Sequence, residues 1–238
     1  METTIQKIIK KTTNEYKQDK NVLGIMLFGS AARNKFDKYS DIDLYILLKK
    51  KGKFSRKNFE SNGVRVDMIL DTMKEAKNYL KEDKNNVRRN TSHMLAHGKI
   101  LFQRTKDLEK IQQAAKNNLS LKTKYKEDEI LMHKYSIDDF WGEIQRDIKN
   151  KDYLAFGLDS QLLMNNILEL FLKINKIFFH QPNEMMKILG KLDVKFANAV
   201  RDFYKENDIK KKKEILEFLV KYIYSKSGGP MPNTWAIK

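Results

Sequence analysis

The chain contains no cysteine among its 238 residues. This absence excludes disulfide bonds, zinc sites built from thiolates and catalysis by a thiol nucleophile. Any bound metal ion must therefore have oxygen or imidazole ligands. Long apolar runs are also absent, since none approaches the roughly 20 residues that cross a bilayer, and the first residues lack the layout of a signal peptide. From these absences we expect a cytoplasmic protein without a membrane partner.

Acidic residues are few relative to basic ones, and the formal net charge is +16. Residues 1–118 contain 26 Lys and Arg against 14 Asp and Glu, whereas residues 119–238 contain 21 against 17. A basic surface attracts phosphates and other polyanions. A merely lysine-rich, solvated surface is the alternative. The concentration of charge in the first half favours phosphate chemistry there.

The spacing of apolar residues predicts an α+β protein with two domains. Short apolar runs are typical of buried strands, and apolar residues at helical spacing are typical of amphipathic helices. Residues 1–118 alternate between the two patterns and predict a mixed β-sheet flanked by helices, whereas residues 119–238 predict an all-α helical bundle. The predicted strands are 22–28, 43–48, 64–70 and 99–103, with a loop or hairpin over 49–63, and the predicted helices are 3–18, 72–83, 86–96, 105–118, 193–206 and 209–225, with two more around 137–148 and 162–171.

A small set of residues at the ends of the first strands carries the chemistry. Gly29 permits a tight turn after the first strand, and the Ser30 hydroxyl with nearby amides can hold a phosphate. After a spacer of ten residues, Asp41 and Asp43 begin the next strand, where alternation puts both carboxylates on one face. Asp67 lies inside the third strand and needs a partner, because an unpaired buried charge is costly.

These carboxylates predict a magnesium site. Mg²⁺ prefers a few carboxylates together with substrate phosphates, and two such ions can activate a hydroxyl and hold a triphosphate. Asp41, Asp43 and Asp67 supply the carboxylates. The alternative for Asp41 and Asp43 is that they cap a turn, as aspartate often does.

The sequence resembles the DNA polymerase β-type nucleotidyltransferase superfamily. The resemblance is carried by Leu27-Phe28-Gly29-Ser30-Ala31-Ala32-Arg33, Tyr39-Ser40-Asp41-Ile42-Asp43-Leu44 and Val66-Asp67-Met68. It implies a nucleotidyltransferase catalytic domain over residues 1–118, two Mg²⁺ ions and a nucleoside triphosphate as co-substrate. The two-part layout is similar to bacterial aminoglycoside and lincosamide nucleotidyltransferases.

The resemblance also implies roles for individual residues. Asp41 and Asp43 would bind both metal ions, and Asp67 would bind the ion that activates the acceptor. The phosphates of the nucleotide would be held by Gly29, Ser30, Arg33 and Ser40.

In such enzymes the helical domain closes over the nucleotide and presents a lysine and an acidic residue. Lys187 is our candidate for the lysine, with Tyr222 or Tyr224 assisting. Glu143, four residues before Asp147 on one helix, is our candidate acceptor base, although both carboxylates also suit a solvated helix face.

The leading hypothesis is transfer of AMP from ATP to a hydroxyl of a small molecule such as an aminoglycoside or lincosamide antibiotic. One alternative is nucleotidylation of a protein or an RNA end, as in minimal antitoxin-like enzymes. Another is a non-catalytic basic protein that binds nucleotides or nucleic acid, against which the intact set of three aspartates argues. Because two subunits share the active site in some relatives, the resemblance also allows a homodimer.

Overall fold

A computed structural model describes residues 3–33, 35–122, 124–179 and 182–237. The chain divides into two compact units, Met1–Leu121 and Lys122–Lys238. In chain order, the described helices and strands of the first unit are α1 Thr4–Tyr16, β1 Val22–Phe28, α2 Gly29–Ala32, β2 Ile42–Leu48, β3 Arg56–Ser61, β4 Val64–Thr72, α3 Met73–Asp83, α4 Asn90–Ala96, β5 Lys99–Gln103 and α5 Asp107–Ser120.

The five strands form one mixed sheet in the order β3-β4-β2-β1-β5. β2 and β4 run parallel, whereas the other neighbouring pairs are antiparallel. The parallel pair arises because the chain leaves β2, forms β3 at the edge and returns inward as β4. The mixed sheet with flanking helices confirms the predicted fold class of this half.

The edge strand β3 lies inside the segment that the sequence predicted as a loop or hairpin. It forms a hairpin with β4, and the turn residues Asn62 and Gly63 both have positive φ, at 50° and 74°. This is the backbone pattern of a tight two-residue hairpin turn. The apolar alternation that reveals a strand is missing because β3 is exposed and carries charged residues, as edge strands commonly do.

Apolar side chains cover both faces of the sheet. On one face, Ile42, Leu44 and Ile46 pack with Ile8 of α1. On the other face, Tyr45 and Leu47 pack with residues of α3, α4 and α5, among them Ala76, Leu80, Leu95 and Ile111. The alternation along β2 therefore fixes which residues face each layer of helices.

All described secondary-structure elements of the second unit are helices. None of the described helices is both long and apolar enough to cross a membrane. The helices are α6 Glu127–Asn150, α7 Tyr153–Ile174, α8 Pro182–Leu192, α9 Val194–Lys205 and α10 Ile209–Lys226.

Aspartates begin three of these helices, and aromatic packing joins α7 to α9. Asp152, Asp193 and Asp208 each accept a backbone hydrogen bond in the first turn, at 2.9 to 3.0 Å. Phe171 of α7 stacks on Phe196 of α9. The all-α character predicted for this half is confirmed. Helix α8 was not predicted from the sequence, and its buried side chains include Met185 and Leu189.

Helix α4 begins four residues later than the sequence predicted, because the preceding segment makes other contacts. Asn86 accepts a hydrogen bond from the Arg88 amide at 3.0 Å, which favours a local turn. The fully buried Arg89 donates to the backbone carbonyls of Lys84, Asn118 and Leu121. Arg89 therefore ties the start of α4 to the end of α5.

Arg89→Met should lower the free energy of unfolding by about 3 kcal/mol, because buried carbonyls lose a charged donor. Urea unfolding measures this change. The control is Arg88→Met, at the exposed neighbouring position, which we expect to stay within about 0.5 kcal/mol of wild type. Equal effects of the two substitutions would contradict the role of Arg89.

Candidate active site

The register of the sheet brings Asp43 and Asp67 together. Asp43 of β2 is paired with Asp67 of the parallel strand β4, so their Cα atoms lie side by side. Both side chains lie on the sheet face that also carries Tyr45, because alternate residues share a face. Asp67 is buried and Asp43 partly buried. Asp41 immediately precedes β2 and acts electrostatically on Asp43.

The turn after β1 packs directly against Asp43. Phe28, the last residue of β1, is paired with Asp43, so Gly29 begins its turn beside that carboxylate. Gly29 has φ of +70°, and a Cβ atom there would overlap Asp43 Oδ2. A larger residue would therefore meet both backbone strain and a steric clash. Glycine at this position lets the chain turn while the Asp43 carboxylate stays in place.

Burial and neighbouring like charges together disfavour the ionised form of Asp43. Burial, followed by the nearby charges of Asp41 and Asp67, raises the pKa of Asp43 from its ordinary 3.8 to about 6. Arg56 acts in the opposite direction. Three carboxylates in one small region favour a bound cation, which would remove their mutual repulsion.

Asp67 has a cationic partner from the edge strand. Arg56 Nε donates to Asp67 Oδ1 at 3.0 Å, and Arg56 Nη2 donates to Asp67 Oδ2. These hydrogen bonds hold the pKa of Asp67 below its usual range. The sequence predicted that Asp67 needs a partner, but it did not identify Arg56, because β3 lacks the apolar pattern of a strand.

The segment before Asp41 forms a turn around Asp37. Ser40 Oγ donates to Asp37 Oδ1 at 2.9 Å, and Asp37 N donates to Ser40 Oγ at 3.1 Å. This turn and the β3–β4 hairpin line a cleft of about 480 Å³, whose lining includes Tyr39, Asp41 and Arg65. Ser40 therefore lies at this cleft with its hydroxyl engaged by Asp37.

Ser30 and Arg33 follow Gly29 in the segment after β1. Ser30 belongs to the short helix α2, and its carbonyl accepts hydrogen bonds from the amides of Arg33 and Lys35. Arg33 follows the last residue of α2 and is exposed.

The other predicted site residues belong to the second unit and have partners or an exposed position there. Glu143 Oε2 accepts a hydrogen bond from Arg146 Nε at 2.9 Å, and Glu143 Oε1 pairs with Arg146 Nη2. Lys187 is exposed on α8. The Tyr222 hydroxyl donates to Asp193 at 2.7 Å and the Tyr224 hydroxyl to Asp138 at 3.0 Å. Asp147 is buried on α6 beside Asp159. The catalytic roles of Glu143 and Lys187 stay predictions.

Within the described residues, no group of three or more His, Asp and Glu side chains has the geometry of a metal site. Both oxygens of Asp67 accept hydrogen bonds from Arg56. The donor chemistry of Asp41, Asp43 and Asp67 nevertheless suits a hard divalent cation, because all ligating atoms are carboxylate oxygens. The raised pKa of Asp43 further indicates a site that favours added positive charge.

Comparisons with known proteins relate this geometry to one superfamily. Residues 7–107 match the family model described as "Polymerase beta, Nucleotidyltransferase". Among the similar solved structures is a nucleotidyltransferase-like protein from Exiguobacterium sibiricum 255-15, with a TM-score of 0.52 and 14% sequence identity. The match covers 92% of this chain and 75% of that one. At that identity it shows likeness of fold only. No curated protein sequence matches the chain.

Gly29→Ala should destabilise the protein more than Gly63→Ala. Both glycines have φ near +70°, so both substitutions carry the left-handed penalty of about 1–2 kcal/mol. Only Gly29 also meets a neighbour, because a Cβ at Gly63 would have open space within 4 Å. We expect Gly29→Ala to cost about 2 kcal/mol more in urea unfolding. Equal losses would contradict the close packing of Gly29 on Asp43.

Asp43→Asn should stabilise the protein, and the gain should depend on pH. The raised pKa of Asp43 means that folding disfavours its ionised form, so Asp43 costs stability increasingly as pH rises from about 4 to about 6 and constantly above that. Moving a pKa from 3.8 to about 6 amounts to at most about 3 kcal/mol. Urea unfolding in EDTA should therefore show a small gain at about pH 4 and a gain of about 1–3 kcal/mol at about pH 7.5.

The control for this measurement is Glu60→Gln, which removes a carboxylate from an exposed position on β3. The change that Glu60→Gln causes in the free energy of unfolding should vary little with pH. A gain for Asp43→Asn that is absent, or equal at both pH values, would contradict the raised pKa of Asp43.

Proposed function

On the match of residues 7–107 to the model of the polymerase β-type nucleotidyltransferases, we propose that the protein transfers a nucleoside monophosphate to a hydroxyl of a small molecule. ATP is the expected donor, so that AMP is the group transferred. An aminoglycoside or a lincosamide is the expected acceptor. This reaction uses the carboxylates and the glycine turn of the first unit together.

The observation that carries the proposal is the side-by-side placement of Asp43 and Asp67 in the parallel strands, with Gly29 packed on Asp43. A protein that needed only the fold would gain stability by replacing one of these like charges. Retaining them costs stability, as the raised pKa of Asp43 indicates. A cluster of titratable groups that is kept at a cost in stability is typical of functional sites.

The metal part of the proposal assigns Asp41, Asp43 and Asp67 to two Mg²⁺ ions. Bound there, the ions would offset phosphate charge, lower the pKa of the acceptor hydroxyl and stabilise the departing pyrophosphate. The aspartates themselves fix the position of the positive charge. The partly buried Asp43 favours a bound cation over water, because its own ionisation is disfavoured without one.

The glycine turn and its flanking residues would bind the triphosphate. Gly29 lets the backbone approach the phosphates, and the Ser30 hydroxyl can donate to a phosphate oxygen. The exposed Arg33 adds a positive charge close to this turn. Ser40, bonded to Asp37, would shape the cleft beside Asp41 and can bind phosphate only if its hydroxyl leaves that partner.

The transfer forms a bond from the acceptor oxygen to the α-phosphorus and breaks the bond to the pyrophosphate oxygen. The hydroxyl proton must pass to a base. In this proposal Asp67 acts as a metal ligand and Glu143 of the helical unit is the base, with the hydrogen bond from Arg146 holding the pKa of Glu143 below its usual range until that contact is released. Lys187 is the proposed partner of the triphosphate from that unit.

A macromolecular acceptor is the second candidate, favoured by the cleft at Asp41. Tyr39 is 82% exposed there, with Lys38 Nζ 4.8 Å from its ring centroid. An exposed aromatic ring beside basic residues can stack on a base and pair with phosphates. The second candidate is therefore nucleotidylation of an RNA end.

Incubation with Mg²⁺ and each α-labelled nucleoside triphosphate tests both candidates. The acceptor panel should include aminoglycosides, lincosamides, total RNA and total protein. We expect label on one small acceptor together with pyrophosphate release. Label on RNA alone would favour the second candidate. Metal-dependent nucleotide binding without pyrophosphate release for any acceptor would contradict both and favour a non-catalytic binding protein.

Asp43→Asn and Asp67→Asn should each lower kcat by at least about 1000-fold, because each removes a charged ligand worth several kcal/mol in the transition state. Pyrophosphate release measures kcat, and Glu60→Gln on exposed β3 serves as the control with unchanged turnover. If either aspartate variant keeps its turnover, the metal assignment is wrong for that residue.

A further inference from the structure

Arg56 lies on the edge strand β3 and pairs with Asp67, the third carboxylate of the candidate active site. Its guanidinium donates to both oxygens of Asp67, in the forked arrangement that arginine makes with carboxylates. The two side chains differ in accessibility, with 69% exposed for Arg56 and 11% for Asp67. One partner is thus fixed within the sheet and the other lies at its surface.

The register explains how Arg56 reaches this position. The residue directly opposite Asp67 on β3 is Asn58, whereas Arg56 is opposite Ile69. Arg56 and Asp67 are therefore diagonal neighbours on one face, a distance that a long side chain spans. The next residue, Lys57, faces the other side of the sheet, where its Nζ contacts the Tyr16 hydroxyl at 3.2 Å.

The charge of Arg56 also acts on the other aspartates. It favours the ionised form of Asp43, against the effects of burial and of the neighbouring carboxylates. Arg56 is itself affected by Asp43 and Asp41, after Asp67. The guanidinium therefore offsets part of the negative charge that a divalent cation would offset.

A guanidinium and a divalent cation at the same carboxylate repel one another. Both are positive, and both draw on the electron pairs of Asp67. The guanidinium can leave at low cost, because an exposed side chain regains water and rotamer freedom when it moves out. Asp67 cannot follow, since it is buried on β4, which is paired on both sides, with β2 and β3.

We propose that Arg56 is a displaceable counter-ion of Asp67, which holds this carboxylate until a divalent cation replaces the guanidinium. The inference rests on the proposed function, because it assigns Asp67 to a metal ion. Arg56 is in this sense a positioning residue. It sets the affinity of the site for the metal and does not touch the reacting atoms.

Titration of the 238-residue chain with Mn²⁺ alone, followed by the electron paramagnetic resonance signal of free Mn²⁺, tests the proposal without any turnover. Arg56→Gln should bind Mn²⁺ about tenfold more tightly than wild type, because a competing charge is removed. Arg56→Lys should fall between them, since it keeps the charge but loses the fork. Arg56→Lys replaces Arg56→Gln as the test variant if Arg56→Gln folds poorly.

Lys57→Gln is the matched control. It removes the same charge from the same strand on the opposite face of the sheet, and its affinity should stay within about twofold of wild type. The double variant Arg56→Gln with Asp67→Asn should lose the gain in affinity. A gain that persists without Asp67 would overturn the proposal, because the competition would then lie elsewhere.

Equal or weaker Mn²⁺ binding by Arg56→Gln would overturn the proposal while leaving the proposed function intact, provided that wild type binds Mn²⁺ and Asp43→Asn abolishes this binding. Failure of wild type and of both Arg56 variants to bind Mn²⁺ would overturn both the proposal and the metal assignment. The two failures are therefore distinguishable.

Discussion

The contact between Gly29 and Asp43 is the constraint on which the rest of the first unit depends. β1 must end at Phe28, turn with positive φ at Gly29 and pass the Asp43 carboxylate without a Cβ atom. This is possible only if β1 and β2 are neighbours in the observed register. The same register of β2 against β4 puts Asp67 beside Asp43. Turn, register and carboxylate pair thus form one arrangement.

The core of the unit keeps this arrangement rigid. The apolar residues of β2 alternate between two layers of helices, so a slip by one residue would exchange the side chains that pack in the two layers. Two partly buried carboxylates can then be held together at a cost in stability, which a cation can offset. Arg56 supplies one such positive charge from the edge strand. The site therefore combines fixed negative groups with a movable positive one.

The central strands were predictable because their signal is local. The apolar runs of β1, β2 and β4 identify strands, and Gly29 with Asp41, Asp43 and Asp67 identifies the chemistry. The edge strand β3 was not predictable as a strand, since an exposed, charged segment carries no apolar period. The pairing of Arg56 with Asp67 depends on the register between β3 and β4. That register cannot be predicted from one sequence. The roles of Glu143 and Lys187 stay predictions, because both roles consist of contacts with the substrates.

A crystal structure with Mg²⁺ and a non-hydrolysable nucleoside triphosphate would test the central claim most directly. The account predicts that Mg²⁺ binds between Asp43 and Asp67, that the triphosphate lies at the turn of Gly29 and Ser30, and that Arg56 has left the Asp67 carboxylate. A metal ion and nucleotide bound away from Asp43, with that carboxylate unligated, would contradict it.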